Sequence, residues 1–86
     1  MALKVRKILD ELGAYYFFPA TGGFGRSGVP DIVGCYHGMF FGIECKAGRG
    51  TTTALQELEL QRIRDAGGAA LVVNENNIEE VKQTLE

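Results

Sequence analysis

The stretch "DIVGCYHGMFFGIECKA", residues 31–47, constrains the fold most. It reads as two strands, "DIVGCY" and "MFFGIECKA", joined at His37-Gly38, a dipeptide suited to a tight two-residue turn. Both strands carry apolar residues at odd and even positions alike. Such strands sit centrally in a sheet that is covered on both faces. A chain of 86 residues with that hairpin needs helices above and below it.

The flanking segments supply them. Residues 2–12 read as a helix, with Val5, Ile8, Leu9 and Leu12 at helical spacing and Gly13 as its stop. "AYYFF", 14–18, reads as a strand ended by Pro19, and 20–30 as a glycine-rich loop. Residues 54–66 read as a helix with Leu55, Leu58, Ile63 and Ala66 on its apolar face, ended by Gly67-Gly68. "AALVV", 69–73, reads as a short strand, and 78–86 as a last helix with Asn76 or Asn77 as N-cap. The expected order is α-β-β-β-α-β-α: one α/β domain over residues 1–86, with a four-stranded mixed sheet flanked by helices.

The hairpin also poses a chemical question, because Asp31, Glu44 and Lys46 fall in strands that otherwise read as buried. With Tyr36 opposite Met39, Asp31 lies opposite Glu44, their Cβ atoms about 5 Å apart on one face. Lys46, two residues beyond Glu44, shares that face. Such a triple is commonly a surface ion pair. Two carboxylates that close repel unless a positive charge stands between them, and a hard divalent cation would take oxygen ligands from both. A metal-bound water is more acidic than bulk water, and a nearby amine can position or deprotonate it. Two acids, a lysine and a metal suffice to hydrolyse a phosphodiester.

Composition narrows the partners. A net charge of −2 is not that of a generally basic nucleic-acid coat, so binding to DNA would use local cations. Cys35 and Cys45 are too few for a disulfide scaffold, and they fall on opposite faces of the hairpin, as buried small residues. His37 is a turn residue with no partner histidine. No apolar run approaches a membrane span and the charged N-terminus reads as no signal peptide, so a cytoplasmic location is expected. "GFGRSG", Gly23 to Gly28, matches G-x-G-x-x-G, but Val29-Pro30 and a strand follow where a nucleotide site needs a helix.

"VPD" followed by "ECK", with thirteen residues from Asp31 to Glu44, resembles the PD-(D/E)XK nuclease signature. "GRSGVPDIVG" and then "GIECKAGRGTTTALQELELQRIRDAGG" tighten the match to the VRR-NUC family: a glycine-arginine loop, G-x-P-D, E-x-K, a threonine-rich loop, then a helix with glutamine near its start. The resemblance spans roughly residues 13–75 and is to the standalone type of member. It implies a restriction-endonuclease-like core and a homodimeric endonuclease that cuts branched DNA, above all four-way Holliday junctions, with Mg²⁺ or Mn²⁺ and no other cofactor. Small members of this kind are common in bacteriophages. Flap cleavage, nicking or branched-DNA binding without cleavage are the alternatives.

Carried over by position, Asp31 and Glu44 would be metal ligands and the Cys45 backbone carbonyl would complete the shell. Lys46 would position or activate the attacking water. Gln56 would support the site and the scissile phosphate, although Thr53-x-x-Gln56 is also a capping box. Arg26 and Ser27 of the glycine-arginine loop and Arg49 would meet the DNA backbone, whereas Arg62 and Arg64 read as a solvated helix face. The chain departs from the family at the first helix, where Ala2 or Leu3 stands in place of a metal-binding glutamate. Asp10 and Glu11, near the helix end, are not assigned as ligands.

Overall fold

A computed structural model describes residues 1–20 and 27–86. Arg26, Phe24, Gly22, Gly23 and Gly25 of the glycine-rich loop lie outside the described residues. The elements run α1 (Ala2–Leu12), β1 (Tyr15–Phe17), β2 (Ile32–Tyr36), β3 (Met39–Cys45), α2 (Ala54–Asp65), β4 (Ala69–Val73) and α3 (Glu80–Leu85). The expected α-β-β-β-α-β-α order and mixed four-stranded sheet are both present, with strand order β1-β2-β3-β4. The β1–β2 and β2–β3 pairs are antiparallel, and β3–β4 is parallel, connected through α2.

The hairpin register is the one read from its turn. Tyr36 pairs with Met39 and Ile32 with Ile43. His37 and Gly38 both take positive φ, 49° and 82°, the combination that matches the twist of the flanking strands.

Alternation along β3 sorts the two faces. Phe41 and Ile43 join Val5, Leu9, Ile32, Val73, Val81 and Leu85 in a core beneath α1 and α3. Gly42 and Glu44 face α2. A Cβ at Gly42 would stand 2.6 Å from Ile63 Cδ1 and 3.0 Å from Pro30 Cγ, so the missing side chain lets α2 and Pro30 settle on the sheet.

The structure corrects several expectations. Asp31 precedes β2 and Lys46 follows β3, so only Glu44 of the triple is buried in a strand. On α2, Leu55 and Leu58 are 53% and 49% exposed, whereas Leu60 is fully buried. The inward stripe runs Gln56, Leu60, Ile63 at i, i+4, i+7 spacing, and Leu55 and Leu58 are rotated off it. Ala66 is likewise exposed. Before α3, Asn77 does not cap. Its Oδ1 accepts from the Asn74 N–H at 2.7 Å, and its Nδ2 donates to Val72 O at 3.0 Å and Glu80 Oε2 at 2.6 Å, tying the turn to β4. Cys35 is exposed rather than buried.

Candidate active site

The ends of β2 and β3 and the first turn of α2 meet on one face of the sheet. Glu44, next to last in β3, is 2% exposed. Its Oε2 accepts a hydrogen bond from Gln56 Nε2 at 3.4 Å. Its Oε1 is buried with no hydrogen-bond partner among the described residues. An orphaned carboxylate oxygen is expensive to keep, and a second carboxylate, Asp31, stands beside it. Burial first, then the negative charge of Asp31, push Glu44 up to about 7, against the lowering pull of the Lys46 ammonium.

Asp31 is exposed and fixed by the backbone of the next strand: the Cys45 N–H donates to its Oδ2 at 2.8 Å. The following amide, Lys46 N–H, turns the other way and donates to Val73 O at 2.9 Å. In extended chain a residue's N–H and C=O point the same way, so the Cys45 carbonyl leaves β3 on the Asp31 side. Two carboxylates and one main-chain carbonyl thus converge. Burial, with Asp31 and Glu44 adding to it, pushes the Cys45 thiol up to about 11, and alternation along β3 turns its side chain to the core face, away from Glu44.

This donor set is hard oxygen throughout. Among the described residues no group of three or more His, Cys, Asp or Glu side chains is placed to hold a metal. A site with two carboxylates and a carbonyl suits an octahedral cation that keeps several waters, such as Mg²⁺ or Mn²⁺. It does not suit a closed zinc site. The unpartnered Glu44 oxygen beside Asp31 fits a group of this kind.

Gln56 serves two ends at once. Thr53 Oγ1 accepts from the Gln56 N–H at 3.2 Å, and Gln56 Oε1 accepts from the Thr53 N–H at 2.9 Å. The capping box is complete. Because Oε1 is held by an N–H donor, Nε2 is the atom left to reach Glu44.

Lys46 is half-buried, and among the described residues it makes no ion pair within 4 Å, although its charge acts on Glu44. Arg49 lies three residues on, exposed in a turn closed by Gly50 N–H to Ala47 O at 3.0 Å. Ser27 is exposed beside Gly28, whose φ is +81°. A Cβ on Gly28 would stand 2.5 Å from the Leu55 backbone, so Ser27 arrives next to the first turn of α2. Arg62 and Arg64 are not simply solvated. Arg62 pairs with Glu59 at 3.7 Å, and Arg64 Nη2 donates to Ala70 O at 3.0 Å.

One contact had no sequence signal. The Gly48 N–H donates to Glu75 Oε1 at 2.9 Å, tying the Lys46–Gly50 loop to the turn after β4. The two residues are 27 apart in the chain, and nothing local marks them.

The chain matches none of the family models, curated proteins or solved structures with which it was compared. A functional reading therefore stands on the motifs and on this geometry. Among the described residues no helix is long and apolar enough to cross a membrane.

Proposed function

We propose that the protein is a Mg²⁺- or Mn²⁺-dependent endodeoxyribonuclease of VRR-NUC type. It acts as a homodimer on branched DNA, with the four-way junction as its preferred substrate and the cytoplasm as its location. The observation that carries the reading is the Glu44 carboxylate, buried, with one oxygen unpartnered and with Asp31 beside it. A purely structural acid has no reason to be left so.

Asp31, Glu44 and the Cys45 carbonyl would hold the cation. When bound, it would offset phosphate charge and make a coordinated water more acidic. The residues of the chain do the rest. Gln56 holds the Glu44 carboxylate from the side of α2. The Cys45 N–H holds Asp31. The Lys46 ammonium would position the attacking water beside the phosphate; as the new phosphorus–oxygen bond forms, the water's proton passes to solvent and the leaving oxygen departs with a proton taken from solvent. Arg49 and Ser27 meet neighbouring phosphates, as does Arg26 from outside the described residues. A four-way junction needs two symmetric cuts, and a two-fold dimer presents two equivalent sites.

The test is incubation of the protein with labelled four-way junction, flap and linear duplex in Mg²⁺, Mn²⁺ or EDTA. Paired symmetric cuts in the junction, lost in EDTA, are expected. Cuts in the flap alone would retain the chemistry and discard junction resolution. Binding without cuts in either metal would leave a branched-DNA-binding module.

A further inference from the structure

The α2 face of the sheet carries a second feature, away from Glu44. Because α2 packs on β3 and β4, it leaves Tyr15 and Phe17 of β1, and Phe40 at the start of β3, exposed on that side among the described residues. The result is a groove of about 500 Å³, lined chiefly by Phe17, Pro19, Val33, Phe40 and Ile63, with Arg62 at its border. Phe40 lies four residues up β3 from Glu44, roughly 13 Å of extended chain.

The groove is poorly made for a small molecule. Glu59 and Arg62 are the charged residues lining it, and they are paired with each other at 3.7 Å rather than aimed at a ligand. It is poorly made for DNA, since an apolar floor neutralises no phosphate.

It is well made for a second copy of the same chain. A two-fold contact needs one patch that is complementary to itself. This patch carries both a hollow and the side chains to fill one: Tyr15, Phe17 and Phe40 are 74%, 50% and 47% exposed. Each of these aromatics retains on the order of 100 Å² to lose on contact. With Leu55 and Leu58 exposed on α2, one turn or less from Glu59, the patch offers about half of the ~800 Å² that each partner gives to a standard interface, as its apolar centre. The Arg62 side chain, 59% exposed, stands at the border of the patch as part of a polar rim. A chain of 86 residues also has a small core of its own, and association is a common remedy.

We propose that this groove is the interface of a two-fold homodimer, with exposed aromatic side chains of each copy seated in the groove of the other. The inference rests on the proposed function for the homodimer alone and not for its chemistry.

Sedimentation equilibrium across micromolar to submillimolar concentrations tests it. The wild-type protein is expected at twice the single-chain mass. Phe40→Lys, or Tyr15→Lys should the first fail to fold, is expected to halve that mass while keeping the far-UV circular dichroism and a cooperative melt. Leu3→Lys, a change at a site 77% exposed on α1, is expected to leave the dimer intact. Cys35, exposed and paired in register with Phe40, reports locally: maleimide labelling at Cys35, read by mass spectrometry, is expected to be slow in the wild type and faster in Phe40→Lys. A monomeric wild type at all concentrations would overturn the inference and leave the groove to another protein. A dimer that survives both lysine variants would overturn it as well. Metal-dependent cleavage by a monomer would overturn it while leaving the nuclease reading intact, whereas a groove-dependent dimer that cuts nothing would do the reverse.

Discussion

Glu44→Gln should make the metal-free protein more stable, by a margin that grows as pH rises from about 4.5 to 7 and levels off above that. Folding moves the Glu44 carboxyl from an ordinary value of 4.5 up to about 7, chiefly by burying it. A group whose folded pKa is raised contributes stability that is fully present below the unfolded value and is lost as pH rises through the folded one. Between pH 4.5 and 7 the folded chain holds a proton that the unfolded chain has released. The loss accumulates at 1.36 kcal/mol per pH unit, about 3 kcal/mol by pH 8. An amide at this position stays neutral and can still accept from Gln56 Nε2, so the variant avoids the loss without emptying the site. Urea denaturation of both proteins in EDTA at pH 5, 6, 7 and 8 reads the effect. The stability of the variant minus that of the wild type should climb with pH by about 3 kcal/mol, a melting shift on the order of 10 °C or more for a domain of this size. Added Mg²⁺ should stabilise the wild type at pH 8 and not the variant, by about 2.7 kcal/mol at a hundred times the dissociation constant. A difference flat across pH would refute the claim that Glu44 is buried beside Asp31 without a compensating cation.

Other predictions separate chemistry from packing. Asp31→Ala and Lys46→Ala should keep the melt cooperative and lower the cleavage rate at least ~100-fold, measured in single-turnover assays on the preferred substrate; cleavage surviving Asp31→Ala would sink the site. Gln56→Ala should cost about 1 kcal/mol of stability through the lost capping box and also lower cleavage. Gln56→Glu keeps an acceptor for the Thr53 N–H but sets a carboxylate against Glu44, so it should lower cleavage more than it lowers helix stability, which parallel melts and rates would show. Leu60→Ala should cost about 2–5 kcal/mol and Leu58→Ala under about 0.5 kcal/mol in urea denaturation, the order set by their burial.

What could be read from the sequence was what local chemistry decides. The His37-Gly38 turn fixes a two-residue hairpin, and with it the register that brings Asp31 and Glu44 together. Gly13 and Gly67-Gly68 mark helix ends, and β4 is a short apolar run between glycine and asparagine. What failed was what only the assembled sheet decides. The four leucines and isoleucines of α2 fit more than one helical stripe, and the choice of Leu60 over Leu55 and Leu58 depends on where the glycine at 42 lets the helix sit. Asn77 looked like a cap because asparagines cap helices, but β4 ends with a free carbonyl at Val72 that its amide takes first. Nothing local in "AYYFF" shows that α2 packs on β3 and β4 and leaves Tyr15 and Phe17 in the open.

The charged triple is organised differently from its appearance in the sequence, and the difference agrees with the proposed chemistry. Three charges buried within strands would be a cost borne throughout the fold. Here Asp31 and Lys46 stand just outside their strands, exposed and half-buried, and only Glu44 is enclosed. Asp31 is oriented by a main-chain amide, Glu44 by a glutamine that is itself clamped by the helix cap, and the loop after Lys46 by Glu75. Asp31 and Glu44 are thus held by groups that belong to the secondary structure, while the Glu44 Oε1 has no hydrogen-bond partner among the described residues. Were the triple a surface ion pair, the lysine would have closed on one of the acids. Among the described residues it makes no ion pair within 4 Å, while its charge still acts on Glu44, an arrangement that agrees with the proposed chemistry.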